Sequence, residues 1–225
     1  MPGIFGMSAV SPVSGANRLD VRDASLGFLL YFRQGLQTPL TPGVASFQNL
    51  LQTSKVRRLQ VLELGAGCGI VGIALAQLVK CDLLLTDLED AEDILARNVQ
   101  SATPAPGSTL QAEVLAWGSG LSDRSNTKFD LVLVSDCIYN PDSSLHLVET
   151  LRQLAAHSRH VLILVGFKRR HEADTIFFQR MQDTDFEVIE TCHLPLPHSV
   201  TEQDATWPTV EFYAYRLASL AAGPG

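Results

Sequence analysis

The chain has 225 residues, 46% hydrophobic and 18% charged, with 16 glycines and 11 prolines. That composition supports one large buried core and excludes collagen-like, coiled-coil and low-complexity classes. Seventeen basic against 24 acidic residues leave a formal charge of −7, which repels phosphate backbones and argues against a dedicated nucleic-acid binder.

In chain order, residues 1–18 are rich in Gly, Ser and Pro and read as a flexible N-terminal arm. Met1 to Asn17 carries no positive side chain, and the longest early apolar run, Leu26 to Phe32, falls far short of the ~20 residues that span a bilayer. No membrane contact is expected, and the cytoplasm or nucleus is the default compartment. Ser25 to Gln37 and Val44 to Lys55 suit helices. Leu59 to Leu64 is a short apolar run closed by glycines, which predicts a strand buried on both faces, and Ile70 to Leu78 predicts a helix. Cys81 to Thr86 predicts a second strand ending in Asp87, with a helix over Asp90 to Gln100. Strand, glycine turn, helix and strand in that order predict a right-handed parallel βαβ unit.

Further strands are expected at Leu110 to Leu115, Phe129 to Val134, Val161 to Val165, Phe186 to Thr191 and Val210 to Arg216. Helices are expected over Ser143 to Ala156 and His171 to Asp183. The connection Leu194 to Pro208 is too short for a crossover helix with its turns, so the final pair should be antiparallel. The fold class is therefore α/β: a Rossmann-like, seven-stranded, mostly parallel sheet with an antiparallel last strand and helices on both faces. Residues 19–220 read as a single domain and 221–225 as a tail. Cys68, Cys81, Cys137 and Cys192 form no CxxC pair and read as reduced, mostly buried thiols. The histidines show no ligand spacing, so no metal is expected.

Val61-Leu62-Glu63-Leu64-Gly65-Ala66-Gly67-Cys68-Gly69-Ile70-Val71-Gly72 carries the chemistry. A strand running through alternating glycines into a helix lets a nucleoside-like ligand approach bare backbone at the carboxyl edge of a sheet. Gly67 to Gly72 matches GxGxxG, and Asp87 lies 20 residues after Gly67, where a ribose-binding acid is expected. That pattern serves both S-adenosylmethionine and a nicotinamide dinucleotide. Glu63, just before the glycines, repels a pyrophosphate and attracts a sulfonium or an amino group, which favours S-adenosylmethionine with the dinucleotide as alternative.

Together with Thr86-Asp87-Leu88, Leu115-Ala116-Trp117-Gly118 and Ser135-Asp136-Cys137-Ile138-Tyr139, this stretch resembles the seven-strand protein lysine methyltransferases of the methyltransferase-like family 16. The resemblance covers the chain from about residue 20 and implies the class I methyltransferase fold. It places Glu63, Gly65, Ala66, Gly67, Asp87, Leu88, Trp117 and Ser135 around S-adenosylmethionine, with Trp117 beside the adenine. It makes Asp136 and Tyr139 the catalytic pair bordering methyl transfer. Arg22 stands where the family carries a cofactor-touching Trp. Its guanidinium either stacks on the adenine or pairs with the methionine carboxylate, or it faces solvent. The implied partner is one folded protein, such as a translation factor or chaperone, met by a monomer, with no nucleic acid.

Plainer roles stand beside these. Asp87 and Asp136 could cap helices, Trp117 could be a core aromatic and Tyr139 could serve packing. Lys168-Arg169-Arg170-His171 is either a solvated turn or a clamp for an acidic substrate surface. The leading function is protein-lysine N-methylation. The alternatives are methylation of a nicotinamide-like small molecule, NAD-dependent oxidoreduction, or a catalytically silent cofactor-binding module.

Overall fold

The computed structural model describes residues 23–37, 42–119, 127–169, 174–196 and 209–218. The helices are α1 (Asp23–Gly35), α2 (Ala45–Ser54), α3 (Ile70–Leu78), α4 (Glu89–Ser101), α5 (Pro141–His157) and α6 (Thr175–Asp183). The strands are β1 (Leu59–Leu64), β2 (Cys81–Asp87), β3 (Thr109–Val114), β4 (Leu131–Ser135), β5 (Leu162–Phe167), β6 (Phe186–Pro195) and β7 (Thr209–Leu217). They form one seven-stranded sheet in the order β3-β2-β1-β4-β5-β7-β6. β1 to β5 are mutually parallel, and β7 runs antiparallel to both β5 and β6, as the short β6–β7 connection requires. β6 runs past Thr191 to Pro195, because its pairing with β7 continues to Pro195 opposite Thr209.

Alternation along the strands divides the apolar side chains between two layers. Leu59 and Val61 of β1 join Leu131 and Leu133 of β4 beneath α1 to α4. Leu62, Leu64, Val132 and Val134 point the other way, against α5 and α6. Covering both faces explains the continuous aliphatic runs of β1, β2, β4 and β5. α1 crosses the sheet through an aromatic group in which Tyr31 stacks on Phe212 at 4.7 Å and Phe32 on Phe47 at 5.1 Å.

Two polar devices secure the outer parts. Val44 supplies no side-chain cap to α2. Glu190 of β6 does so instead, its carboxylate accepting the backbone N–H of Ala45 at 2.8 Å and of Ser46 at 3.0 Å. At the amino ends of the strands, Arg57 donates twice to Asp130. Asp82 there accepts from Arg58 (2.9 Å), Gln60 (2.9 Å) and Thr109 (2.7 Å). Partial burial opposes ionisation of both acids, but these donors outweigh it and hold both carboxyls below the usual range.

Candidate active site

The chain runs from β1 outward to β3, then returns to lay β4 on the other side of β1. In open α/β sheets a reversal of this kind places the ligand site outside the carboxyl ends of the strands, here those of β1 and β4. Beyond Leu64 the glycine loop is tied down from two sides. Ala66 N–H donates to Thr86 O at 2.9 Å, and Gly67 N–H to Asp87 Oδ2 at 2.6 Å. Gly65 (φ +64°) turns tightly over the neighbouring elements, since a methyl group built on it would lie 2.6 Å from Cys137 Sγ and 3.0 Å from the Trp117 ring. Gly67 (φ +57°) faces open space, with nothing within 4 Å of the same added methyl. One glycine serves close packing and the other keeps the cradle clear.

Asp87 ends β2 and also accepts the Leu88 N–H through Oδ1 at 2.7 Å. It is not the cap of α4, whose N-cap is Leu88 with no side-chain bond. Each Asp87 oxygen keeps a further lone pair. Leu88 stands 55% exposed beyond it. Glu63 is buried on the α3 side, where Oε2 accepts the Gly72 N–H at 2.8 Å and so satisfies the first turn of a helix whose own N-cap, Gly69, has no side chain. Burial pushes its carboxyl up to about 8, against the Gly72 amide and with a further push from the Asp87 charge.

Ser135 ends β4 on the same face as Glu63, and its buried hydroxyl has no hydrogen-bond partner among the described residues. Asp136 follows in a left-handed conformation (φ +57°), buried, its N–H bonded to Gly166 O at 2.9 Å. Non-glycine residues in that region carry strain and cluster at functional sites. Cap duty for α5 belongs to Asn140, whose Oδ1 accepts the Asp142 N–H at 2.9 Å ahead of Pro141. Tyr139 is 56% exposed, so it is not a core packing residue. Trp117 lies half-buried between the glycine loop and the α5 layer, and Gly118 N–H donates to Thr150 Oγ1 of α5 at 2.8 Å.

The structure thus brings Glu63, Gly65, Ala66, Gly67, Asp87, Leu88, Trp117, Ser135, Asp136 and Tyr139 to one edge of the sheet. Arg22 lies outside the described residues, as do the 1–18 arm and the 221–225 tail. In the basic turn, Lys168 pairs with Asp23 at 2.6 Å and Arg169 with Glu211 at 3.0 Å, the guanidinium lying over Phe167 and Phe178. Both cations are engaged within the molecule, and Arg170 and His171 fall outside the described residues. Two contributors carried no assigned role in the sequence reading. Asn140-Pro141 was legible as a cap followed by a first-turn proline, whereas the Thr86 hydroxyl, which donates to Glu63 O at 2.8 Å, left no sequence signal. Among the described residues no cluster of His, Cys, Asp and Glu could hold a metal ion, and no helix is long and apolar enough to cross a membrane.

A glycine loop and acids toward the carboxyl ends of β1, β2 and β4, at the switch point of the sheet, are the arrangement in which doubly wound folds bind nucleotide-type ligands. A family model described as lysine methyltransferase matches residues 18–184, and the chain belongs to that family. Protein N-lysine methyltransferase METTL21A of Mus musculus is 35% identical over 130 residues, 57% of this chain and 58% of that protein. EEF1A lysine methyltransferase 3 of Mus musculus is 34% identical over 137 residues, 61% of this chain and 57% of that one. The chain spans about half the length of these curated relatives in the matched region. Among solved structures, magnesium protoporphyrin IX methyltransferase from Synechocystis, with bound SAH, superposes with a TM-score of 0.51 at 15% identity. The match covers 87% of this chain and 96% of that one, a likeness of fold.

Proposed function

We propose that the protein is an S-adenosylmethionine-dependent methyltransferase acting on a lysine of one folded protein partner, of the translation-factor or chaperone kind. On this reading residues 19–220 act as one monomeric domain in the cytoplasm or nucleus. One observation carries it. Two acids stand at the carboxyl edge, Asp87 pinned beside the glycine cradle by the Gly67 N–H at 2.6 Å and Asp136 buried at the tip of β4 in a left-handed backbone. Such a field repels a pyrophosphate and suits a cationic donor and a cationic amine.

The residues present fit the donor. Asp87 offers its remaining lone pairs to the two ribose hydroxyls, and Leu88 and Trp117 offer apolar surface to the adenine. The cradle of Gly65, Ala66 and Gly67 leaves room for the amino-acid end, for which the Ser135 hydroxyl is an unused partner. Burial raises the Glu63 carboxyl to about 8, and an approaching cation favours its ionised form, so it pairs with the positive groups of that end. Arg22 retains its proposed part at the adenine or the carboxylate.

S-adenosylmethionine supplies a methyl carbon already activated by its sulfonium, so the chain's own work is positioning and proton management. A lysine amine has a reference pKa of about 10.4 and must lose its proton before its lone pair can attack. Entry beside Tyr139 strips water from the ammonium and favours the neutral amine. The Asp136 carboxylate, on a buried left-handed turn after β4, holds the amine on the line of attack and accepts the departing proton.

Calorimetry with S-adenosylhomocysteine tests the donor site. Asp87→Ala should lose about tenfold or more in affinity, the value of hydrogen bonds to a charged group. Methyl-labelled donor added with the enzyme to a lysate from cells lacking it should place label in a protein band. Label confined to the low-mass fraction would replace the protein substrate by a small one.

A further inference from the structure

We infer that Cys137 is a positioning residue, a spacer whose sulfur sets the gap between the donor cradle and the acceptor turn. This rests on the function proposed above. The thiol is buried, 4% exposed, between three segments that carry the site. Its Sγ donates toward Leu64 O at 3.3 Å, just before the glycine loop, and lies 3.4 Å from the carbonyl of Ser135. A methyl group on Gly65 would come within 2.6 Å of it, so loop and sulfur are already at closest approach. The same point on Gly65 lies 3.0 Å from the Trp117 ring, which closes the slot. Along the chain, Cys137 joins Asp136 to Ile138 and Tyr139, so whatever moves this side chain moves the acceptor groups.

Chemical reactivity does not account for the thiol. Burial raises its pKa, and the carboxylates of Glu63, Asp87 and Asp136 add to the effect, so it stays protonated and inert. A protonated cysteine packs as a small, polarisable apolar group with a weak donor, and here both properties are used. Methyl transfer is sensitive to such a spacer, because reacting atoms must sit about 3–3.5 Å apart and a 1 Å error costs on the order of 100-fold. The donor's ribose and adenine are also held by Asp87, Leu88 and the open flank at Gly67, none of which Cys137 is shown to contact. Shrinking residue 137 should therefore change turnover and leave donor affinity nearly intact.

The test compares Cys137→Ala and Cys137→Ser with wild type in two measurements. Calorimetry with S-adenosylhomocysteine gives affinity and the fraction of competent sites. The initial rate of label transfer from saturating methyl-labelled donor into a lysate lacking the enzyme gives turnover, expressed per competent site, so that partial unfolding drops out. Per-site turnover should fall in the order wild type, Ser, Ala, with Ala about tenfold down and affinity within about threefold of wild type. Serine keeps the donor to Leu64 O on a shorter bond, so it should recover part of the loss and carries the test alone if Ala does not fold. A Ser or Ala variant turning over at the wild-type rate, or affinity falling in step with rate, overturns the spacer. Wild type that binds no donor or transfers no label overturns the functional reading instead, and the spacer with it.

Discussion

At the amino ends of the strands, Asp82 and Asp130 are held ionised by arginines, a glutamine and a threonine. At the carboxyl ends of the same sheet, Glu63 is buried with its carboxyl pushed up to about 8, Asp136 sits in a left-handed backbone and the Ser135 hydroxyl lacks a partner among the described residues. The first edge is stitched by groups that satisfy one another, while the second holds a carboxyl raised by burial and a buried hydroxyl without a partner among the described residues. On the proposed function, fold stability and chemistry fall at opposite ends of the same strands. Asp87 and Glu63 at the carboxyl edge are anchored by backbone amides, which fixes their positions.

Substitutions at the two edges should separate these roles. The largest effect is expected for Asp136→Ala, with label transfer reduced on the order of 100-fold and S-adenosylhomocysteine affinity within about threefold of wild type by calorimetry. Equal losses in both would place Asp136 in donor binding. Glu63→Gln keeps an acceptor for Gly72 N–H but cannot ionise. Because the folded carboxyl lies near 8, above its unfolded value, its contribution is complete below the unfolded value and is lost as pH rises toward and through 8. Melting curves should therefore nearly coincide at pH 4, and the variant should melt at least about 4 °C higher at pH 8.5, since 1 kcal/mol is worth about 2–4 °C at this size. A gap independent of pH would show that the carboxyl titrates alike in the folded and unfolded states, with no upward shift. The smallest effect belongs to the opposite edge. Asp82→Ala should cost about 1 kcal/mol by denaturant unfolding, because its ion pair is partly exposed, while donor affinity stays unchanged. Any affinity loss there would show that the two edges are coupled.

The parallel core was legible because both faces of β1, β2, β4 and β5 are covered, and each therefore reads as a short aliphatic run ending in a turn signal. The antiparallel β7 followed from the length of one connection. The glycine loop and Asp87 were visible as a local pattern, and their meeting at 2.6 Å follows from the parallel register of β1 and β2. Contacts that depend on tertiary approach were not legible. That Glu63 caps α3 depends on which face of β1 the residue occupies. That Cys137 lies beneath Gly65 depends on the lateral pairing of β1 with β4. Helix α6 was expected from His171, but the described helix starts at Thr175, and residues 171–173 lie outside the described part.

The bond from Glu190 to the amides of Ala45 and Ser46 spans 145 and 144 residues of sequence. Chain synthesis delivers α2 well before its cap, so the first turn of α2 lacks that side-chain cap until β6 has paired. Contacts of such separation form late and slow folding, because the intervening chain must first be ordered. A protein shortened before residue 190 would lose β7, most of the edge strand β6 and, with them, the side-chain cap of α2.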